Sequence, residues 1–110
     1  MTKLPRASEH DTQKAILEYL NVRGHFAMRI NTGAFGGDYK GKKWFIRTAP
    51  KGCPDIVGIV KNTGIFFGIE VKAHGKKPSE DQESMLAQIR NCQGIAVVAE
   101  SIDDIKALGL

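Results

Sequence analysis

The chain has 110 residues, 42% hydrophobic and 25% charged, with 16 Lys and Arg against 12 Asp and Glu for a formal charge of +4. That length suits one domain spanning residues 1–110, and no apolar run approaches the ~20 residues a membrane span requires. Two cysteines are too few for a disulfide-stapled secreted scaffold, so a reduced cytoplasmic setting is expected, and the mild positive excess suits a polyanionic partner.

In chain order, Ser8 is placed to cap a helix reaching about Arg23, with Ala15, Ile16, Tyr19 and Leu20 as its apolar stripe and Gly24 as its stop. His25 to Ile30 reads as a strand, the glycine-rich stretch Asn31 to Lys43 as a loop or hairpin tip, and Trp44 to Thr48 as a second strand. Pro54–Val60 and Ile65–Lys72 are β-rich runs either side of Lys61-Asn62-Thr63-Gly64, a hairpin signature. Ser79 opens a second helix with Met85, Leu86 and Ile89 inward, Ile95–Ala99 is a buried strand, and Ser101 caps a short last helix. The order α-β-β-β-β-α-β-α predicts an α/β fold, a mixed central sheet flanked by helices, with the second helix as a parallel crossover.

From Lys40 to Lys51 the chain carries Lys40, Lys42, Lys43, Arg47 and Lys51 and no acid, with Trp44 and Phe45 interleaved. Two readings stand: a solvated hairpin, or a surface that binds a nucleic-acid backbone and stacks on its bases. Arg29 and Asn31, at the end of the first strand, are further candidate DNA contacts, although structural polar residues would look the same.

The second hairpin places the chemistry. If the turn is symmetric about Asn62-Thr63, Val60 faces Ile65 and Asp55 faces Glu70. Because side chains alternate, Lys72 points to the same side as Glu70. Both faces of this hairpin are otherwise apolar, which predicts a central position in a covered sheet. Directly opposed acids repel one another across a spacing of roughly 5 Å. They must either take up a proton or find a cation. A Mg²⁺ ion resolves the conflict, since it accepts one or two carboxylates plus water and phosphate. The bland alternative is a carboxylate–lysine ion pair at a strand end.

Gly52-Cys53-Pro54-Asp55-Ile56, then Glu70-Val71-Lys72 and Gln82, resemble the motifs of PD-(D/E)xK nucleases, and within them those of the virus-type replication-repair nuclease (VRR-Nuc) domain. The resemblance spans nearly the whole chain and implies a restriction-endonuclease-like fold with metal-dependent hydrolysis of DNA. It implies Asp55 and Glu70 as metal ligands, the Val71 carbonyl as a further one, and Lys72 as the group that positions or activates water. Glu9 matches the helix-one acid of the family, and it also points down the apolar face of its own helix, which favours a site role over the alternative of an acid merely suited to a helix's first turn. Gln82 is either a site residue or the partner of Ser79 in a capping box. Stand-alone relatives imply a phage-like homodimer acting on branched DNA, a four-way junction or flap, and larger relatives that carry the domain imply DNA repair; Mn²⁺ is expected to replace Mg²⁺.

Two other readings remain open: a catalytically silent nucleic-acid-binding domain, and a partner-binding subunit of a phage replication complex. Gly36 to Lys42 fits the spacing of a phosphate-binding P-loop, but Lys43 replaces the required Ser or Thr. The scattered histidines and unpaired cysteines argue against zinc. His74 is close enough in sequence to reach the site, though a solvated loop histidine is the simpler reading.

Overall fold

The computed structural model describes residues 7–30, 34–47 and 49–110. Its elements are α1 (Glu9–Val22), β1 (Phe26–Arg29), β2 (Ala34–Tyr39), β3 (Lys42–Arg47), β4 (Ile56–Ile59), β5 (Phe66–Val71), α2 (Glu80–Asn91), β6 (Ile95–Ala99) and α3 (Ile102–Lys106). Ser8 starts α1 by accepting a bond from the Asp11 amide through its hydroxyl at 3.1 Å. Ser79 does the same for α2 in a full capping box with Gln82. Ser101 precedes α3 without such a side-chain bond, so this short helix rests on burial of Ile105 rather than on its cap.

Four strands make the main sheet in the order β1-β4-β5-β6. The β4–β5 pairing follows the expected register: Ile56 faces Ile69, Val57 faces Gly68, Gly58 faces Phe67 and Ile59 faces Phe66. β6 runs parallel to β5, and α2 supplies the crossover between them. The inner face of the sheet carries Ile56, Phe67, Ile69, Val71 and Ala99, which pack with Ile16 and Leu20 of α1, Ile105 of α3 and Leu110. Emptying the Phe67 position to alanine would cost about 3–5 kcal/mol, because such a core collapses only partly around a lost ring.

Two expectations need correction. Of the two readings of the glycine-rich stretch, loop or hairpin tip, the structure has a hairpin, but the tip is confined to Lys40-Gly41 and the stretch contains an added strand, β2, which pairs with β3 in a separate two-stranded sheet. The reason lies in its glycines: a Cβ on Gly36 would stand 2.5 Å from the Trp44 carbonyl oxygen, and one on Gly37 about 3.0 Å from the Trp44 ring. These glycines serve close strand approach, not a turn. The turn is Lys40-Gly41, both with positive φ (49° and 77°), as the tight two-residue hairpin requires. The second correction concerns the outer face of β4–β5, which is covered only in part. Near the turn Ile59 and Phe66 remain 39% and 43% exposed, and Phe26 and Met28 of β1 lie exposed beside them.

Candidate active site

At the end of β4–β5 remote from the turn, the two acids and the lysine come together. Pro54 leads into β4 from a loop whose Gly52 has φ +86°, and a Cβ there would meet the Asp81 backbone oxygen at 2.3 Å. Glycine therefore lets the Gly52–Asp55 segment lie against the first turn of α2. Asp55 is held by both backbone and side chain. Its carbonyl accepts from the Ile30 amide, and its Oδ2 accepts from the Val71 amide, each at 2.8 Å.

Glu70, facing it, is 2% exposed. Its Oε1 accepts from Gln82 Nε2 at 3.1 Å and stands 3.9 Å from Lys72 Nζ. Its Oε2 is buried with no hydrogen-bond partner among the described residues. Burial, followed by the nearby charge of Asp55, pushes the Glu70 carboxyl up to about 8; the Lys72 ammonium acts in the opposite sense. A buried carboxylate oxygen with no donor is costly, because desolvation goes uncompensated. A proton or a cation relieves it.

Glu9 turns inward from the first turn of α1, where its Oε1 accepts from the Ala73 amide at 3.0 Å. Its charge also contributes to raising Glu70. Gln82 closes the capping box and also reaches Glu70, since an amide has two ends. Oε1 accepts from the Ser79 amide at 2.8 Å while Nε2 holds Glu70. Sequence spacing framed these as alternatives and missed that one side chain bridges them. Cys53, next to the two acids, has its thiol pushed up by burial and then by the Glu70 and Asp55 charges, which keeps it protonated and a poor ligand.

The donor set fits a hard divalent ion. Mg²⁺ takes oxygen ligands and keeps several waters, so two carboxylates suffice, and the orphaned Glu70 Oε2 is an acceptor in want of a cation. Among the described residues no three His, Cys, Asp or Glu side chains are grouped so as to hold a metal ion, so the facing pair Asp55 and Glu70 is the acidic part of the candidate site.

The candidate nucleic-acid contacts are more dispersed. Lys42 and Lys43 are exposed on β3, Lys40 sits in the turn with its Nζ 5.5 Å from the Tyr39 ring centroid, and Trp44 is partly exposed over Gly37. Lys51 is drawn instead to Asp81 at 3.1 Å, a partner the sequence reading overlooked. Arg29 ends β1 opposite Ile56. Asn31 and the Arg47 side chain lie outside the described residues. His74 pairs through Nδ1 with Glu100 Oε2 at 2.8 Å, in a cleft that Lys72 also lines.

The sequence profile of the VRR-NUC domain matches residues 7–103. A solved structure described as a VRR_NUC domain superposes with a TM-score of 0.63 at 21% identity, covering 93% of this chain and 95% of that one. No curated protein matches the chain in sequence. No helix among the described residues is long and apolar enough to cross a membrane.

Proposed function

The chain belongs to the VRR-NUC family, a family of nuclease domains, and from that premise we propose that it is a Mg²⁺-dependent endonuclease that cuts branched DNA as a two-fold homodimer. The observation that carries this reading is the buried, unpartnered Glu70 Oε2 beside Asp55, with Lys72 Nζ 3.9 Å from the other Glu70 oxygen. The chemistry Mg²⁺ would supply there is activation of water and neutralisation of charge on the departing oxygen. Asp55 and Glu70 would hold the ion, with the Val71 carbonyl as a further oxygen and Glu9 as an outlying acid. Gln82 is a positioning residue: it occupies Glu70 Oε1, so that Oε2 would be the oxygen left for a cation, as with the outer partners of metal ligands. Lys72 stands where an ammonium orients the attacking water and offsets charge growing on the phosphate. The Val71 amide fixes Asp55 before substrate arrives, so little reorganisation is left for the reaction itself.

The basic β2–β3 hairpin supports a DNA partner, with Lys40, Lys42 and Lys43 contacting the backbone and Trp44 offering a stacking surface. The exposed apolar stripe Phe26, Met28, Ile59 and Phe66 supports the dimer, since patches of this kind mark association surfaces and an isologous pair is the commonest solution. Phe66 and Glu70 are four residues apart on β5, about 13 Å at strand rise. A pair joined at that stripe therefore presents two separate cleavage centres, one for each of two strands. Incubation of the protein with labelled duplex, flap and four-way-junction DNA, in Mg²⁺, Mn²⁺ or EDTA, tests the proposal. Junction or flap cleavage in both metals and none in EDTA is expected; binding without cleavage in any metal would favour the silent DNA-binding domain.

A further inference from the structure

A cleft of about 270 Å³ lies between α1 and the edge strand β1, lined by His10, Gln13, Lys14 and Leu17 from the helix and by Arg29 from the strand. Lys14 and Arg29 are exposed there, and neither makes an ion pair with any described residue. This includes Glu18, one turn beyond Lys14. Two cations without an acidic partner among the described residues, facing one concavity that Leu17 also lines, form a place for a phosphate and its sugar. Both walls run toward the strand ends at which the carboxylates lie. On one side His10 follows Glu9, whose carboxylate is bonded to Ala73. On the other, Arg29 pairs with Ile56, and the next amide, that of Ile30, is bonded to the Asp55 carbonyl. Arg29 shares the α1 face of the sheet with Ile56, whereas Asp55 and Glu70 alternate to the opposite face, so a DNA strand held at the carboxylates reaches Lys14 and Arg29 by rounding the end of the strands, where Glu9 meets the Ala73 amide.

We propose that this α1–β1 cleft is a flanking-phosphate subsite, in which Lys14 and Arg29 hold the substrate strand beside the bond that is cut. The inference rests on the nuclease reading above for its place along the strand. An acidic cleavage centre repels the polyanion it must hold, and cations beside it restore the attraction while fixing register. Contacts to phosphates position a nucleic acid without reading its sequence, and correct positioning supplies much of the rate of such a reaction.

Binding of a labelled DNA duplex in EDTA, titrated with salt, tests the subsite without any cleavage. Lys14→Ala/Arg29→Ala removes two contacts, so the slope of log affinity against log salt should fall by about 1.8, at about 0.9 per phosphate. At 0.1 M salt that slope difference corresponds to roughly 60-fold weaker binding. The charge-preserving Lys14→Arg/Arg29→Lys pair should recover most of it, which separates lost charge from a damaged fold. An unchanged slope in the alanine pair overturns the subsite, whatever the protein does with metal. A normal slope loss together with no cleavage in Mg²⁺ overturns the nuclease reading instead. Position is read with cleavable DNA carrying one neutral methylphosphonate beside the cut. At subsaturating DNA it should slow the wild type and add nothing to the defect of the alanine pair; equal slowing of both overturns the assignment.

Discussion

Replacing Glu70 with glutamine keeps the shape of the side chain and removes its charge, which isolates the conflict at the centre of the site. In the metal-free protein the Glu70 carboxyl is pushed up to about 8 from an ordinary 4.5. Below pH 4.5 both folded and unfolded chains carry the proton, and Glu70 has no effect on stability. As pH rises the unfolded chain ionises first, so stability is lost between about 4.5 and 8 and levels off above. At pH 7 the interval from 4.5 is worth roughly 3 kcal/mol, at about 1.4 kcal/mol per pH unit. Glutamine carries no such penalty, and its oxygen can still accept from Gln82 Nε2. Glu70→Gln should therefore stabilise the apoprotein at pH 7 by about 1–3 kcal/mol, a rise in Tm on the order of 5–15 °C for a domain this size. Calorimetry in EDTA from pH 5 to 9 reads it: the wild type should lose stability relative to the variant across that window. Added Mg²⁺ should then stabilise the wild type through ligand linkage and leave the variant unmoved. A variant less stable than wild type in EDTA at pH 7, or a difference that does not change with pH, would refute the reasoning.

Gln82→Ala removes one of the two bonds of the capping box, leaving the Ser79 hydroxyl cap in place, and frees Glu70 Oε1; Mg²⁺ affinity measured by calorimetric titration should fall about 10–100-fold. Lys40→Ala, Lys42→Ala and Lys43→Ala together should lower the salt dependence of DNA binding by about 2.7, at about 0.9 per contact, while cleavage at saturating DNA is largely retained. Unchanged binding would return that hairpin to a solvated arm. Phe66→Asp places a charge in the exposed apolar stripe, and sedimentation equilibrium at micromolar concentration should show a wild-type dimer and a monomeric variant. A wild type that is monomeric both alone and on a junction would rule out paired cuts by a homodimer.

Much of this site was legible from spacing because the β4–β5 turn is short. Once Val60 and Ile65 are opposed, alternation alone puts Asp55 against Glu70 and Lys72 on the same side, and the structure keeps that register. What spacing does not report is solvent. Ile59 and Phe66 are apolar and look internal, yet α2 reaches only part of their face: Ile89 crosses β5 at Gly68, where an added Cβ would stand 2.7 Å from its Cδ1. β2 was hidden for a different reason. Strand propensity counts side chains, and Gly36 and Gly37 pair as a strand because they have none. Long-range pairs such as Lys51 with Asp81 and Glu9 with the Ala73 amide depend on how the helices dock, which local pattern does not encode.

The most direct test of the cleavage centre is single-turnover cutting of a labelled four-way junction in Mg²⁺, wild type beside Asp55→Asn, with DNA binding measured in parallel in EDTA. Asp55→Asn keeps an oxygen able to accept from the Val71 amide, so the fold and the DNA contacts persist while the charge opposing Glu70 is gone. The account predicts cutting by the wild type, none by the variant, and binding by the variant equal to or tighter than wild type. Near-wild-type cutting by Asp55→Asn would contradict it.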